Sequence, residues 1–205
     1  MVTSLRWTIA DLDTLPEIRE DCRYEIIDGT LHKSTQPDWR HQMVGGAIVT
    51  ALNTWSKPTH RGVAITAPGV IFSPENAVAP DVVWVRRERF AAVLGSDGKL
   101  HSAPDLMVEL LSPGDRNIRR DREAKMQLYS RWGVLEYWIV DLPSQRIEVY
   151  RRQQDRLQLI ETLNAGDTLK SPNLPGFRAS VGELFAQIPS DWREVAASDN
   201  EEESE

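Results

Sequence analysis

The chain has 205 residues, 40% of them hydrophobic and 27% charged, with a formal net charge of −7. That composition suits one globular domain with a real core and excludes a wholly disordered chain. A single cysteine, Cys22, excludes an internal disulfide and a cysteine-built zinc site, and no apolar run approaches the roughly 20 residues of a membrane helix.

The start MVTSLRWTIADLD lacks the basic-then-apolar pattern of a secretory signal. A cytoplasmic protein is expected. From Glu183 onward eight acids face one base, Arg193, so residues 1–182 carry 23 charges of each sign. The acidity therefore belongs to the C-terminal segment and leaves the body open to a polyanionic ligand. Residues 1–190 read as one domain and 191–205 as an acidic, disordered tail.

In chain order, ADLDTLPE predicts a short helix. CRYEIID and TLHKS flank Asp28-Gly29, a two-residue hairpin signal. A helix follows from about Asp38 to Trp55, with Met43, Val44, Ala47, Ile48, Ala51, Leu52 and Trp55 at helical spacing. VAITAPGVIF, β-rich with a Pro-Gly break, Asp81–Val85 and Asp105–Leu111 read as three strand candidates. A long helix runs from about Asp115 to Trp132, closed by Gly133, and Leu135–Val140 reads as a buried central strand. Arg146–Arg151 and Leu157–Thr162 alternate as a second hairpin. Helix, three strands, helix, strand is an α/β order with a mixed sheet.

Charges interrupt this apolar pattern, and a buried charge is costly unless paired, protonated or metal-bound. Glu109 sits within LMVELL on the face of Met107 and Leu111, and Asp81 opens VVWV on the face of Val83 and Val85. If the strands are neighbours, both carboxylates converge at one sheet edge, where two hard oxygen donors suit Mg²⁺ or Mn²⁺. On the long helix, Ile118, Asp121, Lys125, Leu128 and Trp132 follow the spacing of one inward face, and Tyr129 adds a hydroxyl one turn beyond Lys125. Plainer readings stand beside these: Asp81 as a strand cap after Pro80, Glu109 as a structural carboxylate, Asp121 and Lys125 as a helix ion pair. Glu25 reads as a second-rank candidate or an exposed strand residue. His41 reads as structural or supporting, Cys22 as a packed thiol. Trp84, Trp132 and Trp138 are core by position, Trp39 and Trp192 less so. GxSxG, GxxxxGK[ST] and GxGxxG are all absent.

RYEIIDGTL, APDVVWV, PDLMVELLSPGDR, the series Asp121, Lys125, Tyr129, and GVLEYWIVD together resemble the Uma-type family of "putative restriction endonucleases", within the PD-(D/E)-x-K nuclease superfamily. The resemblance runs from about Arg23 to Gly176. It implies a restriction-endonuclease-like αβββαβ core, a mixed central sheet flanked by helices, with N- and C-terminal hairpins. It also implies a divalent-metal site. Asp81 matches the acid of the PD element and Glu109 the second acid, with the Leu110 carbonyl a third metal ligand. The superfamily's lysine usually lies two residues after that acid, where this chain has Leu111; the resemblance moves its role to Lys125. Glu25 matches an acidic position before the first core helix.

On this reading the protein is an Mg²⁺- or Mn²⁺-dependent endonuclease acting on nucleic acid, DNA first. Asp81, Glu109, Lys125 and Glu25 are catalytic, and Asp121 and Tyr129 support them. Burial is expected to lower the Lys125 pKa and Asp121 to oppose that. Arg116, Arg119, Arg120 and Arg122, with Arg86, Arg87 and Arg89, form either a phosphate-binding rim or a solvated face. A homodimer would suit duplex cleavage. The alternatives are a catalytically silent nuclease-fold module for nucleic-acid binding or dimerisation, and a metal-dependent hydrolase of a small phosphorylated molecule.

Overall fold

The structure, a computed structural model, describes residues 5–12, 14, 22–112, 114–186 and 188. The tail 191–205 and Trp192 lie outside the described residues. Of the predicted N-terminal helix, Ile9–Leu12 (α1) is described.

Cys22–Ile27 (β1) and Thr30–Thr35 (β2) form the first hairpin. It turns at Asp28 and Gly29, both at positive φ (51° and 73°). Such a turn matches the strands' own twist, and glycine reaches that conformation without penalty. Trp39–Ser56 (α2) follows, with Asp38 capping its first turn through the His41 N–H at 2.9 Å.

VAITAPGVIF does not remain one strand. Gly62–Thr66 (β3) joins the central sheet, while Val70–Ser73 (β4) crosses to the sheet of β1 through Asn76–Val78 (β5). Ala67, held at φ 43°, and the Pro68-Gly69 break redirect the chain between them. The N-terminal hairpin is thus half of a four-stranded sheet, ordered β2-β1-β5-β4.

The central sheet continues with Val82–Arg86 (β6), then the helix Arg87–Val93 (α3) and Leu106–Leu110 (β7). A long helical run comes next: Asp115–Arg119 (α4), a π-helical turn over Arg120–Lys125, and Met126–Arg131 (α5). Glu136–Asp141 (β8) and the hairpin Arg146–Gln153 (β9) and Arg156–Leu163 (β10) complete it. The order is β10-β9-β8-β7-β6-β3, and β7 with β8 is its parallel pair, bridged by the long helix as crossover. The expected mixed sheet flanked by helices is present, with β7 and β8 at its centre. A ribbon of Thr168–Ser171 (β11) and Leu174–Ser180 (β12), then Val181–Phe185 (α6), was not anticipated.

Period-two alternation divides the core. Val108, Leu110 and Trp138 face α2 and the C-terminal ribbon, with Val44, Ile48, Leu52 and Phe177. Val83, Met107 and Tyr137 face the long helix and the smaller sheet, with Phe72, Leu128 and Tyr129. Glu109 takes the second face, with Met107, and so looks at the long helix.

The long helix departs from the predicted stripe. Asp121, Lys125, Leu128 and Tyr129 are buried, whereas Trp132 is 41% exposed and stacks on Phe72 at the rim, 5.4 Å between ring centres. In an unbroken α-helix each four-residue step advances about 40°, so Asp121, Lys125 and Tyr129 would wander round the axis. The wider π turn offsets that drift and keeps all three inward. The Tyr137 hydroxyl donates to the Asp121 carbonyl at 3.0 Å, serving a backbone group within the π turn.

Candidate active site

The β6–β7 register pairs Val82 with Val108 and Val83 with Met107. Continued by one residue, it sets Asp81 opposite Glu109. The Leu110 N–H donates to Asp81 Oδ2 at 2.8 Å, tying the acid to the end of β7. The two candidate carboxylates therefore lie side by side at one edge.

Around Glu109 the burial is complete. Glu25 and Glu109 are 2% exposed, Asp121 and Lys125 1%. Lys125 Nζ lies 2.9 Å from Glu109 Oε1, 2.9 Å from Glu25 Oε1 and 3.5 Å from Asp121 Oδ1. Glu25 is thus no exposed strand residue; its Oε1 also accepts the Ala79 N–H at 2.9 Å. Tyr129 donates its hydroxyl to Glu109 Oε1 at 2.7 Å. Arg120 Nε is 3.0 Å from Asp121 Oδ1 and 3.7 Å from Glu25 Oε2.

Three carboxylates (Glu25, Glu109, Asp121) share two cations (Lys125, Arg120), one acid in excess. Glu109 absorbs the imbalance. Burial, and then the neighbouring Asp81, Asp121 and Glu25, outweigh Lys125 and push its pKa up to about 8. Burial also opposes charge on Glu25, but Lys125 and Arg120 overcome it and hold that carboxyl below its usual range. For Lys125 the outcome reverses the sequence expectation. Desolvation does work against the ammonium, yet Glu109, Glu25 and Asp121 outweigh it and raise the pKa. The missing factor was the number of acids: three surround the amine, not Asp121 alone.

Asp81 has its own partners. His41 Nε2 lies 3.1 Å from Oδ2, and Arg23 Nη1 lies 3.2 Å from Oδ1. Burial opposes its charge, but the His41 contact and the Leu110 N–H keep its pKa low. Arg23 was not assigned to the site from sequence, and His41 was read there only as structural or supporting. For His41 the signal existed: it precedes Val44 by three and Ile48 by seven residues, on the apolar face of α2.

Arg23, Glu25, His41, Asp81, Glu109 and Lys125 line a narrow cleft with residues of β2 and Ser112, while Asp121 and Tyr129 lie behind it. Its space, about 10 Å³, is on the order of one water. A larger groove of about 830 Å³ lies between the C-terminal half of α2 and α3, lined by Val49, Asn53, Phe90 and Ala91 among others. Its lining holds no carboxylate, so it lacks the chemistry of the small cleft.

The seven arginines do not make one face. Arg116 and Arg119 are exposed at the start of the long helix, but Arg120 turns inward. Arg122 is engaged with Glu148 at 2.6 Å, and Arg86 and Arg89 each lie 2.8 Å from buried Asp105. Arg87 borders the larger groove.

Among the described residues, no three His, Cys, Asp or Glu side chains are gathered as a ready ligand shell. The donor chemistry nevertheless fits a hard divalent cation. Asp81, Glu109 and the Leu110 carbonyl offer oxygen at adjacent positions, and Mg²⁺ takes few protein oxygens and keeps its remaining places for water and phosphate.

The fold is restriction-endonuclease-like. Residues 9–182 match the model of the Uma2 family, described as "Putative restriction endonuclease", and the chain belongs to that family. It is also similar to a solved structure described as a putative nuclease belonging to DUF820 from Anabaena variabilis. The two share 21% identity at a TM-score of 0.68, over 88% of this chain and 98% of that one. No curated protein matches the chain. Among the described residues no helix is long and apolar enough to cross a membrane.

Proposed function

We propose that this protein is a divalent-metal-dependent nuclease that hydrolyses phosphodiester bonds, in DNA first. One observation carries the reading. Lys125, on the helix after β7, brings its ammonium to 2.9 Å from Glu109, at the strand edge beside Asp81. An acid–acid–lysine constellation thus forms although Leu111 occupies the superfamily's usual lysine position.

Asp81, Glu109 and the Leu110 carbonyl would hold Mg²⁺ or Mn²⁺, which supplies Lewis acidity and a lowered pKa for bound water. Lys125 keeps its proton and presents fixed positive charge where a phosphorane would develop, without reorganisation during the reaction. Tyr129 anchors Glu109 and limits its rotamers. Glu25 and Asp121 hold the ammonium in place. Arg116 and Arg119 are exposed cations available to phosphates.

The test is cleavage of labelled single- and double-stranded DNA and RNA with Mg²⁺, with Mn²⁺ and with chelator. Wild type should cut in metal only, and Glu109→Gln and Lys125→Met should lose at least ~100-fold. Cleavage surviving chelation, or surviving in Glu109→Gln, would sink the proposal. Metal-independent binding of uncut nucleic acid, intact in Glu109→Gln, would select a non-catalytic module. Turnover of a mononucleotide alone would select a small-molecule hydrolase.

A further inference from the structure

His41 lines this cleft and has no role in the reading above. It is buried, at 6% exposure, in the first turn of α2. Its Nε2 is 3.1 Å from Asp81 Oδ2 and 3.2 Å from the Leu110 carbonyl oxygen. Both neighbours are acceptors, so Nε2 carries a proton here and is shared between them. They are also two of the three donors just assigned to the cation, Glu109 being the third.

The spacing has a second meaning. In an octahedral shell with bonds near 2.1 Å, adjacent ligands stand about 3.0 Å apart. Separations of 3.1 and 3.2 Å therefore set Nε2 as neighbour to both oxygens at roughly the distance that adjacent corners of one octahedron require. No strand or helix need move to bring the nitrogen in. The ring need only hold its proton on Nδ1, leaving the Nε2 lone pair free. The cap that Asp38 provides to the His41 N–H fixes the backbone from which the ring projects.

We infer that His41 Nε2 is itself a ligand of the divalent cation, beside Asp81 Oδ2 and the Leu110 carbonyl, and that this nitrogen makes the site favour Mn²⁺ over Mg²⁺. The inference rests on the proposed metal site. The selectivity follows from ligand chemistry: carboxylate, carbonyl and water suit both ions, whereas imidazole favours transition metals. The competing role for His41 is that of a hydrogen-bond donor that merely orients Asp81. A side-chain amide could replace the donor but not the nitrogen ligand.

Mn²⁺ binding to the full chain tests this, with dimethyl phosphate present to complete the shell. Calorimetry gives affinities for Mn²⁺ and Mg²⁺, and pulsed electron paramagnetic resonance detects nitrogen bonded to Mn²⁺. Wild type should show one nitrogen coupling. His41→Asn and His41→Ala should both lose it, with Mn²⁺ affinity falling at least ~10-fold and Mg²⁺ affinity less. The spectrum of the wild type is decisive even if a variant folds poorly. Mn²⁺ bound without nitrogen coupling overturns the inference while the carboxylate site stands. Full rescue of Mn²⁺ affinity by His41→Asn also overturns it, leaving His41 a donor. Absence of Mn²⁺ binding in the wild type overturns both this inference and the metal-dependent reading.

Discussion

Two glutamates on neighbouring strands are equally buried and differently held. Glu136 opens β8 and Glu109 nears the end of β7, so they occupy opposite ends and opposite faces of one parallel pair. Glu136 is met by neutral donors in fixed places: Trp138 Nε1 at 2.7 Å, Asn173 Nδ2 at 2.9 Å and the Ser171 hydroxyl. Arg151 Nε adds charge from 3.5 Å. Glu109 has one neutral donor, Tyr129, and otherwise a lysine shared with two more acids. The first arrangement clamps the β11–β12 ribbon onto the sheet. The second gathers one more acid than cation at the wall of a cleft, and Glu109 answers with a raised pKa. Burial of an acid thus does not identify a site; what balances its charge does.

Removing the shared cation should break the comparison most sharply. Lys125→Met leaves Glu25, Glu109 and Asp121 with Arg120 alone, and breaking a buried ion pair costs ~3–5 kcal/mol. Urea unfolding of the metal-free protein should show that loss, and Lys125→Met/Glu109→Gln should recover part of it. A single variant as stable as wild type would mean that the cluster already carries a neutral amine.

At the other glutamate, Glu136→Ala strands several buried donors, at ~1–3 kcal/mol for each left unsatisfied. The melting temperature should fall while Mn²⁺ binding by the folded fraction stays unchanged. Altered metal binding would show that the two glutamates are coupled through the sheet.

A pH series sharpens the contrast. Because Glu109 has a folded-state pKa raised to about 8, it favours the protein fully at acid pH. That contribution fades as pH rises from its ordinary carboxylate range through about 8. Glu109→Gln mimics the protonated form. Its stability relative to wild type should therefore climb between weakly acidic pH and pH of about 8. A constant difference across that range would show Glu109 ionised throughout. Added Mn²⁺ should favour the carboxylate and reverse the trend for wild type only.

The smallest effect concerns the rim. Arg116→Ser/Arg119→Ser should leave stability within ~0.5 kcal/mol, as these are exposed positions. The dependence of nucleic-acid binding on salt should flatten by up to ~2 units of slope if both contact phosphates. An unchanged slope would remove them from the interface.

Much of this was legible in the residues. The Asp28-Gly29 turn, the long helices and the strand–helix–strand succession around β7 followed from periodicity and turn chemistry. Asp81, Glu109 and Lys125 stood out because each interrupts an apolar pattern. Glu136 escaped notice although it opens a strand otherwise almost wholly apolar; nothing local announces the Ser171 and Asn173 that meet it from a ribbon 35 and 37 residues away. The Pro68-Gly69 break in VAITAPGVIF was visible, but not that the left-handed Ala67 beside it would send the two halves to different sheets.

The sequence by itself determined which residues are out of place, because period and polarity are local properties. Only the tertiary structure decided how their charges balance. Electrostatic energy depends on every group within a few ångströms, so neither the inward turn of Arg120, nor the pairing of Glu25 with Lys125, nor the approach of His41 to Asp81 could be read along the chain. The π turn was equally hidden, since it is stabilised by a hydroxyl from the neighbouring strand, and it sets Tyr129 rather than Trp132 against the acids.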